Sequence, residues 1–232
     1  MMAMITQKVY VILMNRREGM KLKIGIYGFG TVGKATKLYL EKGTAEILVE
    51  DPKYNMSINE KLDIALICTE MKDTDNAIKS ASKWTDNITI RSTIIPNFIK
   101  NHPKCNYWLE FDVTESQNDG ADIRVLTDNP ILLNYLKSID KCTTVYNVVS
   151  PMEACLAKLF DNYMLSTIVN TSSMFSQICE DNGVLYDHVR NILLQDGRYP
   201  KSHTNIYKKD VTSKCFDFAK NAIDECLFLT ID

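Results

Sequence analysis

Gly28, Gly30 and Gly33 form the spacing G-x-G-x-x-G, and Glu50-Asp51 follows about twenty residues on. This combination suits a bound dinucleotide: the first glycine lets the chain turn sharply, the second lets backbone approach a pyrophosphate, and the third lets a helix pack close to a strand. Free N–H groups at the helix start, around Thr31 and Val32, attract phosphate. An acidic residue at Asp51 can accept hydrogen bonds from both ribose hydroxyls and repels a 2′-phosphate, which favours NAD over NADP; Lys53 weakens that preference. Four further sets can do chemistry. Lys158 and Asn162 are one helical turn apart and together can hold a developing oxyanion. Cys215 stands at the expected start of a helix beside Lys214, where a thiolate is favoured. Thr93, in Arg91-Ser92-Thr93-Ile94-Ile95-Pro96, follows a strand that should end near the cofactor and can place a water or touch a nicotinamide. Glu110 and Glu115 offer a general base or a group that orients water.

The elements that must position these residues read as alternating strands and helices. Lys21–Leu40 is a strand, a glycine turn and a helix, and Ile47–Val49 is a second strand. Leu62–Cys68 reads as a buried third strand, Asp73–Trp84 as a helix and Ile88–Ile90 as a strand. Tyr107–Phe111 and Ile123–Thr127 read as further strands, Pro130–Ile139 as a helix and Thr143–Val149 as a last strand. This alternation implies an α/β fold, a Rossmann-like doubly wound parallel sheet over residues 20–149. The pattern then changes. Ser150-Pro151-Met152-Glu153 is a helix start with a capping box, and no proline or glycine follows before Gly183. A helix from Pro151 to Asp181 is expected, with an apolar face wide enough to be buried on more than one side, including against a second subunit. A helix at Leu185–Leu194, an irregular stretch to Val211 and a final helix to about Leu229 complete a small helical domain over 150–232.

Composition excludes several classes. The 232 residues are 45% hydrophobic and 24% charged, with net charge −2; this is a soluble globular balance without the basic stripe that nucleic acid requires. The cysteines at 68, 105, 142, 155, 179, 215 and 226 are odd in number and contain no C-x-x-C pair. A disulfide framework or zinc site is not expected, and a reducing cytoplasmic location is. Apart from Cys215, the cysteines read as small core residues. The three histidines are too scattered to suggest metal ligands. In residues 1–19 a short apolar run precedes Asn15 and the charged Arg16-Arg17, the reverse of a signal peptide. This piece is expected to be an extension outside the fold, with Met20 the natural start.

Taken in order, these segments resemble the UDP-glucose/GDP-mannose dehydrogenase family from Lys21 onward. The resemblance is carried by Gly28-Phe29-Gly30-Thr31-Val32-Gly33 with Asp51, by Ile67-Cys68-Thr69-Glu70-Met71-Lys72, and by Arg91-Ser92-Thr93-Ile94-Ile95-Pro96. It continues along Met152 to Glu180, a long helix in which Lys158 and Asn162 fall on the family's lysine and asparagine. It ends in Asp196-Gly197-Arg198, Ser202-His203-Thr204 and Cys215-Phe216. The resemblance implies oxidation of a nucleotide sugar such as UDP-glucose at C6 to the uronate, with two NAD. The cysteine would carry a thiohemiacetal and then a thioester. Lysine and asparagine would hold the oxyanion, and threonine and glutamate the hydrolytic water. Those roles fall to Cys215, Lys158, Asn162, Thr93, and Glu110 or Glu115, with Gly28, Phe29, Gly30, Thr31, Val32, Gly33, Asp51, Lys53, Thr69 and Thr93 around the cofactor.

The sequence also departs from the family pattern. Asp210-Val211-Thr212-Ser213 replaces its glycine-rich run, and Asp217, Phe218 and Ala219 replace the proline, lysine and aspartate after Cys-Phe. An alignment through Lys209-Asp210 would put Ile206 at the cysteine position; the distance from Asp196 and the retained Cys-Phe favour Cys215. The glutamate segment is out of register by one, so Glu110 and Glu115 cannot both match. The family's C-terminal nucleotide-binding domain has no counterpart before Asp232. Two alternatives follow: a β-hydroxyacid-dehydrogenase-like enzyme that transfers a single hydride and needs no cysteine, and a degenerate homologue that binds a nucleotide or partner without turnover.

Overall fold

A computed structural model describes residues 21–109, 123–201 and Thr204. The extension 1–19, Glu110, Glu115, His203, Cys215 and the expected final helix lie outside the described residues. The chain divides into two compact units between Cys155 and Leu156.

The first unit is a seven-stranded sheet with helices. Its elements are β1 (Lys23–Tyr27), α1 (Thr31–Leu40), β2 (Glu46–Glu50), a 3-10 turn (Pro52–Tyr54), β3 (Ile64–Ile67), α2 (Met71–Ala81), β4 (Ile88–Ile90), α3 (Pro96–Asn101), β5 (Asn106–Leu109), β6 (Ile123–Leu126), α4 (Pro130–Ile139) and β7 (Val145–Val148). The strand order is β2-β1-β3-β4-β5-β6-β7. From β1 the chain goes outward to β2 and then back across to β3, so the winding reverses between β1 and β3; ligands bind such sheets at this switch point, beyond the carboxyl ends of the strands. Register sets that edge: Tyr27 pairs with Glu50 and Ile67, and Ile67 with Ile90. The residues after these strands, Gly28, Asp51, Cys68 and Arg91, therefore line one side of the sheet.

The fold is the expected Rossmann-like α/β class, with differences in detail. β5 and β6 pair antiparallel, where an all-parallel sheet was expected. The thirteen residues between them are close to the minimum for a parallel crossover, about a dozen. β3 is shorter than the expected 62–68, since Leu62, Asp63 and Cys68 bond to Trp84, Lys23 and Tyr27 outside the ladder. α2 begins two residues early, at Met71, where Thr74 returns a hydroxyl bond to the Glu70 carbonyl. It ends at Ala81, because Lys83 and Trp84 bond three residues back. The six-residue α3 was not anticipated, although Pro96 occupies its first turn and suits that position.

Burial explains the strands. Ile24, Ile26, Ile64, Leu66, Ile67 and Ile90 are wholly buried, as strands covered on both faces require. Farther across the sheet the core contains a polar clasp. Arg124 on β6 reaches Asp140 after α4 through two bonds, Nη2 to Oδ1 at 2.8 Å and Nε to Oδ2 at 3.2 Å, and Tyr146 on β7 donates its hydroxyl to the same carboxylate. The guanidinium lies 4.5 Å from the Tyr39 ring centroid on α1, so one buried ion joins β6, β7, α1 and the end of α4. Asn129 caps α4 by accepting from Leu132 N–H, and its amide donates to Asn87 and Thr89, tying that helix to β4.

The long helix α5 (Pro151–Asp181) has the expected bounds. Its capping box is formed: Glu153 accepts from Ser150 N–H at 2.7 Å, and Ser150 Oγ accepts from Glu153 N–H at 3.2 Å. These bonds hold the Glu153 carboxyl below its ordinary pKa. At the other end Gly183 adopts φ +68, and Val184 N–H returns to the Cys179 carbonyl, an ending that favours glycine. In the second unit α6 (Tyr186–Leu193) is anchored by Tyr186, whose hydroxyl donates to the Thr204 carbonyl, and by Arg190, which donates to Thr204 Oγ1. Among the described residues no helix is long and apolar enough to cross a membrane.

The clasp makes a stability prediction. Arg124→Ala leaves a buried carboxylate unpaired and should cost about 3–5 kcal/mol in urea unfolding. Burial pushes the Asp140 pKa up to about 6, above an unfolded value of about 3.9. Protonation therefore favours the folded state; removing the Arg124 cation raises the Asp140 pKa further, so the variant takes up its proton first and its deficit should shrink as pH falls towards about 6. A deficit that grows on acidification would contradict this account.

Candidate functional site

The turn after β1 gives each glycine of the fingerprint a different physical reason. Gly28 has φ +93, a left-handed conformation, and a Cβ there would come within 3.0 Å of the Cys68 carbonyl. Its N–H donates to the Glu50 carbonyl at 2.9 Å, which fixes the turn against β2. At Gly33 a Cβ would lie 2.0 Å from the Gly28 carbonyl oxygen; only glycine lets α1 approach β1 this closely. At Gly30 a Cβ would meet nothing within 4 Å. That position faces open space at the start of a helix with no side-chain cap. The first-turn N–H groups of Thr31, Val32 and Gly33 have no partner within the helix, so the loop has room and donors for a diphosphate.

Asp51 closes the site on the β2 side. Its Oδ2 accepts from Phe29 N–H at 2.7 Å and its Oδ1 from Lys53 N–H at 2.9 Å. One carboxylate thus joins the glycine turn to the end of β2, and each oxygen keeps a further lone pair for a ribose hydroxyl. The turn that follows is shaped by Asn55, left-handed at φ 55. It brings Tyr54 edge-on to Phe29 with ring centroids 5.9 Å apart. Lys34 extends over both rings, 5.7 Å from Phe29 and 5.4 Å from Tyr54, and Lys53 lies 6.0 Å from Tyr54. Two ammonium groups and one carboxylate therefore share this corner. The sequence reading missed Lys34 and Tyr54; the i to i+4 step from Gly30 to Lys34 and the short Asp51-to-Tyr54 turn were the available signals.

Across the switch point, Thr69 lies beside Gly28, since a Gly28 Cβ would meet its Cγ2 at 2.9 Å. Its hydroxyl shares a 3.1 Å hydrogen bond with Thr74. Cys68 is buried, and burial pushes its thiol pKa up against the opposing pull of Arg91 and of a Thr36 hydroxyl bond, so the thiol stays protonated. Farther along the same edge Arg91 is buried with its guanidinium 3.6 Å from the Trp108 ring centroid. The next residues form the turn that carries Thr93. Ser92 and Ile94 are buried, and Thr93 between them is half-buried.

In the second unit Lys158 and Asn162 lie one turn apart on α5. The Lys158 ammonium is 3.9 Å from Asp161 Oδ2, and its side chain is only 16% exposed, unlike an ordinary surface lysine. Asp196 is engaged by its own turn, accepting from Arg198 N–H and the Arg198 guanidinium. The first unit thus gathers Gly28, Phe29, Gly30, Thr31, Val32, Gly33, Asp51, Lys53 and Thr69 at the switch point and Thr93 on the same sheet edge. Lys158 and Asn162 form a separate pair in the second. Among the described residues no group of three or more His, Cys, Asp or Glu is placed to hold a metal.

No family model and no curated protein matches the sequence. Solved structures do share the fold. A UDP-glucose dehydrogenase from Pyrobaculum islandicum superposes with TM-score 0.68 at 14% identity, over 91% of this chain and 66% of its own. A UDP-D-ManNAc dehydrogenase from Pyrococcus horikoshii gives 0.64 at 13% identity, over 89% and 71%. A 3-hydroxyisobutyrate dehydrogenase from Salmonella typhimurium gives 0.59 at 9% identity, over 88% and 95%. The chain spans about two thirds of the length of the two nucleotide-sugar enzymes.

The glycine geometry predicts two opposite outcomes. Gly33→Ala forces helix and strand apart and should lower stability by roughly 1–3 kcal/mol. Gly30→Ala, with φ −74 and open space, should stay within about 0.5 kcal/mol of wild type. Thermal unfolding of the two variants checks this, and an equal loss in both would refute the assignment of roles.

Proposed function

We propose that the protein is an NAD-dependent dehydrogenase of a nucleotide sugar, oxidising a UDP-glucose-like substrate at C6 to the uronate. The observation that carries this reading is the Gly28–Gly33 turn, open at Gly30 and closed at Gly33, at the β1/β3 switch point with Asp51 bonded to Phe29 N–H. Gly28, Gly30 and the first-turn amides would bind the diphosphate, and Asp51 the adenosine ribose, with Phe29, Lys34 and Tyr54 forming the wall beside it. The bound cofactor would supply hydride acceptance. Lys158 and Asn162 would hold the oxyanion that develops as the substrate hydroxyl loses its proton. Thr93, with Glu110 or Glu115, would orient the hydrolytic water, and Cys215 would be the nucleophile for the aldehyde. The likeness in fold to UDP-sugar dehydrogenases, together with the order of the motifs, supports this class above the hydroxyacid alternative. A reducing, cytoplasmic location fits the odd number of cysteines in the sequence, with no C-x-x-C pair among them.

We further propose a homodimer through α5. Phe160, Met164, Thr167, Thr171, Met174 and Ile178 recur at alternating steps of four and three, the spacing of a helix–helix seam. Phe160, Met164, Met174 and Ile178 are each more than half exposed, and a second copy of the same helix would cover them.

The decisive assay is a panel of nucleotide sugars with NAD, followed by NADH absorbance. Two NADH per sugar, abolished in Cys215→Ala and reduced at least a hundredfold in Lys158→Ala, is the expected result. One NADH per substrate, indifferent to Cys215, would select the single-hydride class instead, and dinucleotide binding without turnover would select the non-catalytic one. For the dimer, sedimentation should give twice the chain mass, falling to one chain in Met164→Asp/Met174→Asp; a wild-type monomer would remove the proposal.

A further inference from the structure

The turn after β4 is held from both sides by buried side chains. The Tyr107 hydroxyl, on β5, donates to the Ser92 carbonyl at 2.9 Å. The Cys155 thiol, in the second turn of α5, donates to the Ile94 carbonyl at 3.2 Å. Ser92 Oγ reaches back to the Ile67 carbonyl at 3.3 Å, and Arg91 N–H bonds the same carbonyl at 2.8 Å. Tyr107 is 1% exposed and Cys155 not at all. The two donors act at sequence separations of 15 and 61 and close on a three-residue stretch. The Ser92 carbonyl belongs to the peptide plane that carries the Thr93 N–H, and the Ile94 carbonyl to the second plane after it, so the two anchors bracket the Thr93–Ile94 peptide. Fixing both holds the segment on either side of the Thr93 side chain, which stays half-buried at the same edge of the sheet.

We infer that Tyr107 and Cys155 are positioning residues: their hydrogen bonds to the Ser92 and Ile94 carbonyls set Thr93 for contact with the nicotinamide end of a bound dinucleotide. This rests on the dinucleotide reading above. It also gives Cys155 a role that its burial alone does not suggest, since a core cysteine needs no acceptor. No covalent or redox step is involved; the thiol acts only as a donor.

The test compares two probes on the full chain, NAD and ADP-ribose, which lacks the nicotinamide. Titration calorimetry gives Kd for each with wild type, Tyr107→Phe, Cys155→Ala and Cys155→Ser, at a temperature where circular dichroism shows each variant folded. Loss of one hydrogen bond of about 1 kcal/mol corresponds to roughly fivefold in Kd. NAD binding should weaken about fivefold in Tyr107→Phe and Cys155→Ala, with ADP-ribose within twofold of wild type and Cys155→Ser close to wild type for both. Equal weakening of the two probes would mark the residues as merely structural and overturn the inference, as would no change in either. Equal wild-type affinity for NAD and ADP-ribose would also overturn it while leaving the dinucleotide site standing. Failure of both probes to bind wild type would remove the dinucleotide reading itself. If Cys155→Ala does not fold, Tyr107→Phe decides alone.

Discussion

At the approach of α1 to β1, the space for a Gly33 Cβ is already filled by the Gly28 carbonyl oxygen, 2.0 Å away. Much of the candidate site depends on this contact. It holds the first turn of α1 beside the end of β1, so its free N–H groups open at the sheet edge. It also fixes the direction of the Gly28 peptide, whose N–H bonds Glu50, and thereby brings Phe29 N–H to Asp51. A wider separation would break that chain of bonds at its first link.

The other half of the sheet is built on a different kind of contact. Ile24, Ile64 and Leu66 are held by apolar burial, which is non-directional. Arg124, Asp140, Tyr146 and Tyr39 are held by direction and charge. A fully desolvated arginine pair adds little net stability over apolar residues of the same volume, but it tolerates few alternative arrangements. Here it specifies how β6, β7 and α1 meet at the place where the strand direction changes from antiparallel to parallel. The register of Arg124 opposite Tyr146 puts both side chains on one face, where a single carboxylate can serve both.

The parts of this architecture written in contiguous sequence were legible without the structure. The glycine turn, β2 and Asp51 fall within one strand–helix–strand unit, and every reason for the glycines is local. The long helix was legible from its capping box and its first glycine, because both ends carry their own backbone chemistry. The rest depends on pairs distant in sequence. Nothing near Arg124 announces Asp140, and Tyr107 reads only as an apolar strand residue until Ser92 is placed beside it. The antiparallel β5–β6 pair was hidden for the same reason: strand direction follows from the connection, and the apolar pattern of Tyr107–Leu109 is the same in either sense.

That division bears on the chemistry as well. Cofactor recognition by this kind of fold needs backbone donors, room and one carboxylate, and Gly28 to Asp51 supplies them within a single βαβ stretch. The residues proposed for the oxidation are spread along the chain, with Thr93 after β4 and Lys158 and Asn162 on α5. Thr93 itself sits in a turn whose flanking carbonyls, of Ser92 and Ile94, accept from Tyr107 and Cys155. Substitutions in this distributed half are felt one residue at a time. At Gly33 a single added methyl group would push helix and strand apart and disturb the turn that carries Phe29 N–H to Asp51.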